Sequence, residues 1–171
     1  MNQAALNQFI QLFTLADEAA TARVSEQLAL VLRNPALYQD EYAGELAERG
    51  IVEELPAQEL RDIALIDALL SEDLAWESDW NDTAPAIAEG VNEILARQKR
   101  PQQLQPSKLA GRREPGPEQL DTVQDALEPL GLALVLFTLD SDSYPLGIVA
   151  ETAVEQARSL AKELGFELVV Y

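Results

Sequence analysis

The stretch Asp140-Ser141-Asp142-Ser143-Tyr144-Pro145, directly after a hydrophobic run, carries the sharpest chemical signal in the chain. Two carboxylates two residues apart at a strand end can hold Mg²⁺ or Ca²⁺ through oxygen, which makes Asp140 and Asp142 the candidate metal ligands. The competing reading is a turn whose Asp and Ser side chains bond their own backbone. A second cluster is Trp76-Glu77-Ser78-Asp79-Trp80-Asn81-Asp82. Two tryptophans four residues apart share one face of a helix or flank a turn, leaving the acids toward solvent. Trp76, Asp79, Trp80 and Asp82 would then form an aromatic anchor with an acidic rim for a protein partner. The more economical reading has both tryptophans sealing the seam between a helical layer and a sheet.

Composition narrows the chemistry further. The 171 residues include no Cys and no His. This excludes disulfides, thiolate nucleophiles, zinc sites of the usual kind, haem held by His or Cys, and a Ser-His-Asp triad. No cofactor is expected. Thirty acids against 12 bases give a formal charge of −18, which repels phosphate backbones and anionic membrane surfaces. Nucleic acid and membrane are therefore poor partners, and a basic protein is a good one. The acids Asp40, Glu41, Glu45, Glu48, Glu53, Glu54, Glu59 and Asp62 could steer such a partner, imitate DNA phosphates, or simply solvate a helix face. Paired carboxylates for glycosidase chemistry and Gly-rich phosphate loops are not evident.

The elements that must position these residues fall into two halves. Residues 1–97 read as about five short helices. Leu6, Phe9, Ile10 and Phe13 make one stripe and Val24, Leu28, Val31 and Leu32 a second, with Asn34-Pro35 as a stop. A third helix is predicted from Pro35 to about Arg49, a fourth from near Pro56, and a fifth from about Thr83 to Gln98. Residues 98–117 hold Lys99, Arg100, Lys108, Arg112 and Arg113 among prolines and glycines, and read as a basic linker or long loop lying across an acidic surface or free in solvent. Residues 118–171 then read helix, strand, strand, helix, strand: Glu118–Glu128, Leu132–Leu139, Leu146–Ala150, Thr152–Leu164 and Phe166–Tyr171. A small sheet covered on one face by helices would bury both layers, giving an α+β fold in one structural domain.

An aspartate pair after a strand also looks like the opening motif of haloacid-dehalogenase-like phosphotransferases, but too little chain follows Asp142 for the rest of that fold. The Asp79-Trp80 step leading into an amphipathic helix, together with Asp140-Ser141-Asp142-Ser143-Tyr144-Pro145-Leu146 followed by a helix and a last strand, resembles an uncharacterised bacterial family, domain of unknown function six-six-three-zero. The resemblance covers most of the chain, with the basic Pro-rich insert peculiar to this sequence. It implies no activity and no catalytic residues, and it implies that the Asp140–Pro145 loop is a family feature.

The expectation is an acidic binding module for a basic protein partner, of the immunity or regulatory type. The alternatives are a hard-metal enzyme or metal-binding protein using Asp140 and Asp142, and a DNA mimic. The N-terminal residues lack the apolar core of a secretion signal, and no apolar run is long enough to span a bilayer, so the predicted location is the cytoplasm. Homodimerisation through an open sheet edge is compatible with the pattern.

Overall fold

A computed structural model describes residues 1–111 and 116–171. The stripe Leu6, Phe9, Ile10 and Phe13 is buried on helix α1 (Gln3–Thr14), whose first turn is capped by Asn2 Oδ1 accepting from Ala5 N at 3.2 Å. Asp17 caps α2 (Glu18–Arg33) in the same way, from Ala20 N at 3.0 Å. Asn34 ends α2 and caps α3 (Pro35–Glu41). The single helix predicted from Pro35 to Arg49 breaks at Tyr42, and α4 (Ala43–Glu48) continues from there. Tyr42 leaves helical geometry there (φ −102°, ψ 22°) and stacks on Tyr38 at 4.4 Å, while Leu46 beyond it is buried. Helix α5 (Ala57–Ser71) is apolar over more than one face and well buried.

Residues 72–83 contain an element that helical periodicity does not predict, the strand β1 (Trp76–Asp79). Helices α6 (Ala84–Arg97) and α7 (Pro117–Leu127) follow, then β2 (Leu132–Phe137), β3 (Ser143–Ala150), α8 (Val154–Leu164) and β4 (Leu168–Val170). The four strands form one antiparallel sheet in the order β1-β3-β2-β4. Strand β3 starts at Ser143 rather than the expected Leu146, because pairing with β1 extends it toward the turn.

The sheet is covered on both faces, not on one. Ala133, Val135, Phe137, Val149 and Val170 join a core with residues of α1, α2, α5 and α8, while Leu132, Leu134, Leu146 and Ile148 join a second core with residues of α6 and α7. The nearly continuous apolar run of β2 has this physical cause, since a strand buried on both sides does not alternate. Close approach is built into the second layer at Gly90, where a Cβ would fall 2.1 Å from the Trp76 ring.

The two layers are tied together at the C-terminal end of α6. Arg97 reaches Asp17 at 2.9 Å and Glu72 at 3.3 Å, and Glu72 also takes two hydrogen bonds from Arg23 at 2.7 and 2.8 Å. Buried Gln98 donates to the carbonyls of Phe13 and Ile148, both at 3.0 Å. The segment beyond is anchored by Leu104, which is buried in the second core and exchanges two backbone hydrogen bonds with the Asn92 side chain. Among the described residues no ion pair engages Lys99, Arg100 or Lys108; Arg112 and Arg113 lie outside the described residues. At the sheet edges, Asp82 Oδ2 accepts from Asp79 N at 2.9 Å and Arg158 donates to the Val170 carbonyl at 2.9 Å.

Two outcomes test this packing. Gly90→Ala must displace the Trp76 ring, and chemical denaturation should show a loss of ~1–3 kcal/mol with a red shift of tryptophan emission. Hydrogen bonds from Arg23 and then Arg97 hold the Glu72 carboxyl below its ordinary value. A lowered folded pKa gives stability that is present above the unfolded value and lost as pH falls through the folded one. Glu72→Gln should therefore lower Tm at neutral pH, and the gap from the unmodified chain should close in acid.

Candidate functional site

Side chains alternate across a strand, so β1 sends Trp76 and Ser78 toward α6 and Glu77 and Asp79 to the opposite face. The register pairs Glu77 with Pro145 and Asp79 with Ser143. This brings the two segments singled out in the sequence side by side at the rim of the sheet. Ser143 Oγ donates to Glu77 Oε2 at 3.4 Å and lies 2.9 Å from Ser141 Oγ, which also accepts from Ser143 N at 3.1 Å.

Facing this rim is Arg49, at the C-terminal end of α4. Its guanidinium donates twice to Asp67 Oδ1, at 2.8 and 2.6 Å, and also to Glu77 Oε1. Asp67 comes from the middle of α5. Burial pushes the Asp67 carboxyl above its usual range and outweighs the opposing hydrogen bond from Arg49. For Arg49 the balance is reversed: burial works against the charge, but the bonds to Asp67 and Glu77 prevail and its pKa is raised. The pair is thus a partly desolvated ion pair whose cation is firmly charged.

These groups line a recess of about 660 Å³ whose wall also carries Glu45 and Glu48. Four acids therefore surround one base. Glu45 and Glu48 are exposed and make no ion pair among the described residues, whereas Arg49 is occupied by two carboxylates. Chemically the recess can accept a cationic group from outside. Its two serines bond to each other, and Ser143 also donates to Glu77.

The other sequence candidates are placed as follows. Trp76 is half-buried against α6 at Gly90, in the seam between sheet and helix. Trp80 is 52% exposed in the turn after β1 and so does not share that seam. Asp79 is exposed, while Asp82 is used within the turn, accepting from Asp79 N and from Ser78 Oγ at 3.1 Å. Asp140 and Asp142 are both exposed, and among the described residues no three acidic side chains gather where a metal ion could sit. Sequence reasoning missed Arg49 and Asp67, which lie 18 residues apart. The available signal was scarcity, because Arg49 is one of only four bases in the first 96 residues.

The family model Domain of unknown function (DUF6630) matches residues 5–171. No curated protein and no solved structure matches the chain. Among the described residues no helix is long and apolar enough to cross a membrane.

Removing the base at the centre of the recess tests its electrostatics. Arg49→Met leaves Asp67 desolvated and unpaired, and denaturant titration at neutral pH should show a loss of ~2 kcal/mol, below the figure for a fully buried pair because water reaches the rim. A carboxyl with a raised folded pKa regains its neutral form readily as pH falls, so the loss should shrink in acid.

Proposed function

We propose that this chain, which belongs to the DUF6630 family of unknown function, is a binding module that recognises a basic protein partner, of the immunity or regulatory kind. The observation that carries the reading is the recess between α4, β1 and the turn before β3. There Glu45 and Glu48 stand exposed with no cation paired to them among the described residues, beside a base already neutralised by Asp67 and Glu77. A Lys or Arg side chain entering this recess would meet unsatisfied carboxylate charge, and the net charge of −18 would draw a basic protein in from a distance. The exposed Trp80 beyond β1 supplies an aromatic contact of the sort that anchors interfaces. Lack of cysteine accords with action in the cytoplasm of a bacterium.

The test is affinity capture from the source organism's lysate at low and moderate salt, with the unmodified chain and Glu45→Gln/Glu48→Gln run in parallel. The expected result is one basic protein in stoichiometric amount, lost as salt rises and depleted on the double variant. Empty beads at both salts, or equal capture by the variant, would overturn the reading.

A further inference from the structure

We propose that a second contact for the same partner lies on the far side of α4: a groove with apolar side chains on its floor and acids on its rim that takes an aliphatic or aromatic side chain from a basic, amphipathic segment. The proposal rests on the basic-partner reading above and adds what that partner must present. Helix α4 is a ridge with Glu45 and Glu48 toward the recess and Ala43, Leu46 and Ala47 toward the groove. The groove encloses about 530 Å³, and its opposite wall is formed by Ala36 of α3 and by Ile51 and Val52 of the following loop. Val52 is 88% exposed and Leu37, in the same helix as Ala36, is 41% exposed. Val52 is one of the six large apolar side chains left in water among the described residues, and it stands on the wall of this depression.

The groove is built in advance of any occupant. Gln39 holds its loop wall through both ends of one amide, donating from Nε2 to the Glu53 carbonyl at 2.7 Å and accepting from Leu55 N at 3.2 Å. A wall fixed in this way loses little conformational freedom when a ligand arrives. Charge selects among occupants. The charged residues of the lining are Asp40 and Glu54, with no base in that lining among the described residues. A second copy of a chain with charge −18 would bring like charge to this rim, and an anionic lipid surface would do the same. A segment with Lys or Arg on either side of an apolar residue fits both floor and rim, and it can reach Glu45 and Glu48 across a ridge one helix wide.

The experiment uses the full chain and a random dodecamer peptide library displayed on phage, selected at moderate salt. Enriched peptides are then synthesised with a fluorescent label and titrated by anisotropy. Peptides combining at least two Lys or Arg with an aliphatic or aromatic residue are expected. Their binding should weaken about tenfold or more in Val52→Ser/Ala47→Gln, which removes apolar surface and narrows the groove without changing charge. Both positions are exposed, and unchanged thermal melts would show that the variant folds. Enriched peptides without bases or without an apolar residue, or an unchanged Kd in this variant, would overturn the proposal. Weakening only in Glu45→Gln/Glu48→Gln removes the groove and keeps the recess. Weakening only in the groove variant removes the recess and keeps the groove, and no enrichment removes both.

Discussion

Strands β2 and β3 bury side chains on both faces of the sheet, so neither is stable until a helical layer covers each face. One chain must therefore build two layers and pass from one to the other around the sheet. Strand β1 makes that passage. Leu74 and Ala75 just before it belong to the first core, Trp76 packs against the second, and Glu77 turns back toward α4 and α5. At the other end of α6, Arg97 and Gln98 bind the returning layer to α1, α2, α5 and β3. The recess exists because the crossing strand leaves one of its faces at the molecular rim, opposite the C-terminal end of α4.

How much of this could be read from residues alone depended on the range of the interaction. The stripes of α1 and α2, the Asn34-Pro35 stop and the apolar run of β2 are local patterns, and each marks its element within a few residues. The DUF6630 match over residues 5–171 agrees with the resemblance seen in the Asp79-Trp80 and Asp140–Leu146 segments. Strand β1 was not legible, because Trp-Glu-Ser-Asp is too short and too acidic to stand out and is a strand only by virtue of pairing with Ser143–Leu146. That register alone converts two unrelated motifs into one site. Arg49, Asp67 and Glu77 meet from three separate elements, and no spacing encodes such a meeting.

The arginines of the acidic half are largely spent on the fold. Arg23 holds Glu72, Arg49 holds Asp67 and Glu77, and Arg61 donates to Gln58 and to the Gly165 carbonyl. Near Arg61, Asp62 is buried and accepts from Glu167 N at 2.9 Å, which fixes the approach to β4. Burial raises the Asp62 pKa against these hydrogen bonds. Pairing cancels those carboxylates along with their arginines, so the excess of acids falls on the other side chains, and the net charge of −18 sets the field an approaching protein meets.

The way the sheet ends has a consequence for the protein in concentrated solution. Its two outer strands are four and three residues long, and each has a backbone group claimed by a side chain, Asp79 N by Asp82 and the Val170 carbonyl by Arg158. Short strands with occupied polar groups make poor templates for another chain to extend. Growth of fibrils by edge-to-edge addition is thereby discouraged, leaving the molecule free to carry exposed apolar side chains elsewhere without the sheet joining in their self-association.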